Sequence, residues 1–103
     1  TMRRAKHILM DRIYDTPELC NARTKIIEAS AAICGCDGAL CRMFGRGGAD
    51  AARELGQEVL PLVRELSHLR LELREGHGDK IFKASEGLAR KSVQLLEKLR
   101  AAT

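Results

Sequence analysis

Apolar positions along this chain recur at spacings of three and four, the signature of helices that bury one face. Ala5, Ile8, Leu9 and Ile13 share a face between about residues 3 and 14, which predicts a short first helix. Asp15-Thr16-Pro17 ends it, with Thr16 suited to cap a second helix and Pro17 to open it. In the second segment Leu19, Ile26, Ile33 and Leu40 recur every seven residues, and so do Cys20, Ile27, Cys34 and Cys41. Gly35 and Gly38 argue for a break, since each costs about 1 kcal/mol against alanine inside a helix. The phase nevertheless holds across both, so the pattern predicts one helix from Pro17 to about Phe44.

Gly45-Arg46-Gly47-Gly48 separates that helix from a third, expected to begin with Asp50 as its cap. Ala52, Leu55, Val59, Leu62, Leu66, Leu69 and Leu73 form its apolar seam, and Glu58, Glu65 and Glu72 an acidic stripe expected opposite, in solvent. Pro61 lies mid-helix, cannot donate to the carbonyl of Gln57, and should kink the rod. Gly76-His77-Gly78 marks the next turn, with Asp79 as cap of a fourth helix carrying Ile81, Ser85, Leu88, Ser92, Leu95 and Leu99 on one face. Ser85 and Ser92 are small, so the third and fourth helices are expected to approach closely there, as an αα-hairpin.

The whole reads as one all-α domain over residues 1–103. Its expected architecture is an up-and-down four-helix bundle with a short first helix and three long ones. Composition agrees: 45% of residues are hydrophobic and 31% charged, and Tyr14, Phe44 and Phe82 are the only aromatics, so the core must be aliphatic. Net charge is +4, which permits an acidic partner without demanding one. There is no apolar run of membrane-spanning length and no signal-type stretch near the start, where Thr1 reads as a remnant ahead of a native Met2. A cytoplasmic chain with reduced cysteines is the expectation.

Candidate chemistry is sparse. Cys34-x-Cys36-x4-Cys41 with a remote Cys20 does not match the paired knuckles of zinc sites. Cys20, Cys34 and Cys41, in phase with Ile27, are expected to pack as small buried hydrophobes, leaving Cys36 at the flank as the reactive thiol. His7, His68 and His77 form no ligand pair; His7 with Asp11 reads as a surface pair. Ser30, Ser67, Ser85 and Ser92 lie mid-helix without a nucleophile elbow. The glycine-rich loop before the third helix lacks a Gly-Lys-Ser/Thr ending and a preceding strand, so it reads as a plain connection. Lys80, Lys83, Arg90, Lys91, Lys98 and Arg100 make the last helix basic, yet nucleic-acid binding would want a denser stripe or stacking aromatics.

No catalytic residue, metal site or cofactor is therefore expected, and the chain reads as a non-catalytic protein–protein interaction module of adaptor, regulatory or oligomerisation type. The short first helix should leave a vacant apolar groove walled by Ile33, Leu40, Phe44, Leu60, Leu95, Leu96 and Leu99, fit for a partner helix or a second copy. A two-fold homodimer is the simplest closure. A cysteine-based redox or metal-responsive regulator is the alternative reading, and a weak nucleic-acid binder the third.

Overall fold

The computed structural model describes residues 17–75 and 78–102, all of them in three helices and one tight connection. These are α1 (Pro17–Gly45), α2 (Ala49–Glu75) and α3 (Gly78–Ala102). The expected first helix, the Thr16 cap and the His7–Asp11 pair lie outside the described residues, as does His77. The described residues form an all-helical bundle of three long helices, with no strand among them.

Pro17 opens α1, and the helix runs unbroken through Gly35 and Gly38 for 29 residues, as the seven-residue phase predicts. The two glycines differ in what they do. A Cβ at Gly35 would lie 3.0 Å from Leu96 Cδ1 and 3.1 Å from Cδ2, so the bare backbone here lets α3 seat a leucine against α1. At Gly38 a Cβ would meet only the guanidinium of Arg42, at 3.7 Å. The helix ends in a Schellman cap: Gly48 N–H donates to the Met43 carbonyl at 2.9 Å and Gly47 N–H to that of Phe44 at 3.2 Å, with Gly47 left-handed at φ 82°. Glycine is favoured at that position because it has no Cβ to clash.

Gly48 also starts the next helix, because its carbonyl accepts from Ala52 N–H at 2.9 Å. The expected Asp50 cap is therefore displaced: α2 begins at Ala49, and Asp50 sits inside the first turn, where a carboxylate still complements the positive end of the helix dipole. α2 continues as one helix through Pro61, whose ring is on the exposed side. α3 begins at Gly78, one residue ahead of the expected Asp79 cap, whose side chain lies outside the described residues.

Cross-helix neighbours set the topology. Arg70 of α2 bonds Ser30 of α1, and Lys98 of α3 pairs with Glu58 of α2, so each sequential pair is antiparallel. Two antiparallel steps make α1 and α3 parallel: Lys25 and Glu28 lie beside Glu86 and Arg90, and Met43 lies beside Ala102. The α1–α3 pairing is the most extensive of the three and α2–α3 the least.

Small side chains account for that. Ala22, Ala29, Cys36 and Ala39 on α1 and Ser85 and Ser92 on α3 are completely buried, allowing the two backbones to come close. The Cys36 thiol faces the Ser92 carbonyl at 3.9 Å. The serines expected to draw the last two helices together thus include one, Ser92, that meets α1 instead. Ser92 Oγ donates to the Leu88 carbonyl at 2.7 Å, whereas Ser85 Oγ is buried without a hydrogen-bond partner.

The predicted seams of α2 and α3 hold position by position. Ala52, Val59, Leu62, Leu66 and Leu69 are buried, with Leu55 and Leu73 packed at the edge, and all six predicted α3 positions are buried. The acidic stripe lies nearer the seam than expected: Glu58 reaches Lys98 at 3.3 Å and Glu65 reaches Lys91 at 3.9 Å, bridging α2 to α3. Glu72 takes His68 at 2.9 Å within α2.

Candidate functional site

α1 departs most from expectation, and it carries the candidate surface. Of its two seven-residue lines, only one goes inside: Leu19, Ile26 and Ile33 are buried, with Leu40 packed at the edge. The other turns outward, with Ile27 at 61% exposure, Cys34 and Cys41 exposed and Cys20 partly so. The line taking its place in the core is Ala22, Ala29, Cys36 and Met43. Helix α1 is therefore rotated by about 80°, close to one residue's step, from the orientation its largest side chains suggest.

The cysteine expectation is corrected accordingly. Cys36, expected at the flank, is fully buried, and Cys34 and Cys41, expected inside, are exposed. Burial pushes the Cys36 thiol above its ordinary range, Asp37 adds to the rise and Arg100 opposes it. None of the four cysteines is in a disulfide. Cys34 and Cys41 are two turns, about 10 Å, apart along one helix, beyond disulfide reach of each other. Among the described residues no group of three or more His, Cys, Asp or Glu side chains could hold a metal ion.

The outward line interleaves with a second one, Thr24, Ala31, Gly38 and Gly45, at alternating steps of four and three. Together these eight positions run the length of α1 as a face and none is charged, with Arg23 beside Ile27 and the Arg42 guanidinium reaching over Gly38. Outward positions elsewhere mix charged and apolar residues: α2 presents Arg53 and Arg64 together with Leu60 and Leu71, and α3 presents Lys83, Arg90 and Glu97 together with Val93. Alongside the face, between α1 and α2, is an apolar depression of about 500 Å³ whose lining includes Ile26, Ile27, Ala31, Cys34 and Leu73. Arg70 crosses its edge to donate to Ser30 Oγ at 3.0 Å.

The seven residues expected to wall a groove do not share a surface. Ile33, Leu95 and Leu99 lie in the closed core at 5%, 7% and 0% exposure. Leu40 and Leu96 pack at its edge, Leu96 in the space over Gly35. Phe44 and Leu60 alone are exposed, at 50% and 57%. α1 and α3 are drawn together by small residues, and between α2 and α3 a depression of about 300 Å³ has Leu62 and Leu95 at its base and Glu58, Lys91 and Lys98 in its lining. The basic residues of α3 are exposed, but Lys91 and Lys98 are engaged by glutamates of α2, and Arg90 lies 3.8 Å from Glu86.

Sequence reasoning missed the face for a definite reason: its cysteines and its isoleucine look like core. The available signal was the absence of charge on two neighbouring lines of α1, more apolar face than one helix in a small bundle can bury. No helix of the described residues is long and apolar enough to cross a membrane. Comparison of the chain with protein-family models, curated proteins and solved structures finds no match in any of the three.

Proposed function

We propose that this chain is a non-catalytic protein–protein interaction module that works through the outward face of α1. One observation carries the reading: α1 turns outward an isoleucine and cysteines on two lines of positions that hold no charged residue, with Arg23 and Arg42 at their edges. A helix that only meets water gains solubility from charged side chains there, and α2 and α3 set Arg53, Arg64, Lys83, Arg90 and Glu97 among their exposed apolar residues. An uncharged exposed stripe beside an apolar depression instead favours contact with another apolar surface. The bundle supplies rigidity and the face supplies the contact.

A photocrosslinking side chain placed at Ala31 tests this, with the same group at Arg90, outward on α3, as control. Discrete protein adducts from position 31 and none from position 90 are expected. Equal or absent labelling at both positions rejects the reading.

A second reading rests on the exposure of Cys34 and Cys41. Exposed thiols on a contact surface make the contact responsive to oxidation, in keeping with a cysteine-based regulator. Mass spectrometry after mild peroxide treatment should then find modification at Cys34 and Cys41 but not at Cys36.

A further inference from the structure

The face on α1 has a repeat and a charge pattern of its own, and these bear on what covers it. Cys20, Ile27, Cys34 and Cys41 occupy one line and Thr24, Ala31 and Gly38 the other, which are the d and a positions of a heptad repeat. The flanking g positions are then Arg23, Ser30, Asp37 and Phe44, and the flanking e positions are Asn21, Glu28, Gly35 and Arg42.

From this pattern we infer that the occupant is a second copy of the chain, with the two α1 helices side by side, parallel and in register about a two-fold axis. The inference rests on the interaction reading above and names its partner. In a parallel pair each g position faces the e position five residues on in the other helix. Arg23 then meets Glu28 of the second copy, which in its own chain also holds Lys25 at 3.3 Å, and Asp37 meets Arg42 of the second copy; the remaining pair, Ser30 with Gly35, is uncharged, with Ser30 accepting from Arg70 of its own chain. Two-fold symmetry doubles the two attractive contacts, and no like charges meet.

The antiparallel arrangement with full overlap sets g against g and e against e. Its pairs are Arg23 with Phe44, Ser30 with Asp37, Asn21 with Arg42 and Glu28 with Gly35, and none is an ion pair. Charge complementarity therefore selects the parallel pairing. Arg23, Glu28, Asp37 and Arg42 are all at least partly exposed, so these contacts form at a wet rim, where they set orientation more than strength.

Two structural facts fit this occupant. α2 borders the face only at the depression, through Arg70 and Leu73, so a second α1 would seat against Ile27, Ala31 and Cys34 beside them. Gly38 adds the second: a Cβ there would meet only the movable guanidinium of Arg42, at 3.7 Å, so at this a position a second helix comes close once Arg42 turns toward Asp37 of the second copy.

The register makes a chemical prediction, because symmetric d positions bring Cys34 against Cys34 of the second copy. A chain with Cys20→Ser and Cys41→Ser, keeping Cys34 and the buried Cys36, is treated with diamide. Diamide accepts the two electrons and two protons that a pair of thiols gives up as the sulfur–sulfur bond forms. Sedimentation equilibrium from micromolar to millimolar protein measures the untreated full chain.

We expect a mass of twice 11.4 kDa and a diamide-linked Cys34 dimer. Arg42→Asp should weaken association about tenfold and Asp37→Arg/Arg42→Asp should restore it, with circular dichroism unchanged throughout. A dimer without the Cys34 link places Cys34 opposite Ala31, as in the antiparallel pair, and overturns the inference; so does a charge swap that fails to restore binding. A chain that stays at 11.4 kDa at every concentration overturns it too. In that event adducts from Ala31 to a different protein leave the interaction reading standing, and their absence ends both.

Discussion

Replacing the mid-helix glycines one at a time with alanine separates packing from propensity. At Gly87 of α3 an added methyl group would find no atom within 4 Å, so Gly87→Ala should collect the full helix-propensity gain of about 1 kcal/mol. Gly38→Ala meets only a movable guanidinium at 3.7 Å and should gain about as much in the monomer. Gly35→Ala is the informative case. Its methyl would stand 3.0 and 3.1 Å from the two δ-carbons of Leu96 and 3.6 Å from Cγ, and two of these contacts are closer than van der Waals separation allows. Leu96 must move, and overpacking of this kind costs about 1–3 kcal/mol. The propensity gain is thus cancelled or outweighed, for a net change between about 0 and −2 kcal/mol.

Urea denaturation followed by circular dichroism measures each variant, and constant slopes confirm that only stability has changed. A gain of about 1 kcal/mol also raises the melting temperature by about 4–8 °C in a domain of this size. The decisive comparison repeats Gly35→Ala in a Leu96→Ala background. With the leucine gone, the glycine substitution should recover its gain of about 1 kcal/mol, giving a coupling of about 1–3 kcal/mol between the two positions. If Gly35→Ala stabilises the parent chain as much as Gly87→Ala does, Leu96 is not seated on Gly35, and the close approach of α1 and α3 is misjudged.

Other expectations follow from burial. In dilute monomer Cys34 and Cys41 should react quickly with a thiol reagent and Cys36 only after denaturant is added, as rates by mass spectrometry will show. Because burial raises the Cys36 pKa in the folded state, the folded chain holds its proton to higher pH than the unfolded chain does. Stability should therefore be unaffected below the unfolded thiol's pKa and fall as pH rises from there through the folded value, and Cys36→Ala should remove that alkaline loss in denaturation curves taken across pH. Ser85→Ala removes a buried hydroxyl without a partner and should raise stability by about 1 kcal/mol, whereas Ser92→Ala gives up a bond of 2.7 Å and should gain less. Leu66→Ala should cost about 2–5 kcal/mol, against under about 1 kcal/mol for Glu65→Ala, whose contact with Lys91 is long and exposed; equal effects would mean the α2 seam is misassigned.

Spacing alone determined the helices and two of their three buried faces. Where one apolar line keeps its spacing along the whole helix, as on α2 and α3, one orientation hides it, and Leu62, Leu66, Ser92 and Leu99 lie inside while Leu60, Leu71 and Val93, off that line, stay outside. Continuity through Gly35 and Gly38 was legible for the same reason: a broken helix has no cause to keep phase. On α1 the apolar and small residues wrap most of the cylinder, so the sequence admits several orientations of nearly equal burial. The choice fell to the partner helix. The small Ser92 on α3 leaves room for Cys36 at close range where leucine or isoleucine would not fit, which goes with Cys36 turned inward and Ile27, Cys34 and Cys41 outward. The exposed face is thus a product of tertiary packing, because which side of α1 remains for a partner depends on which side α3 has already taken.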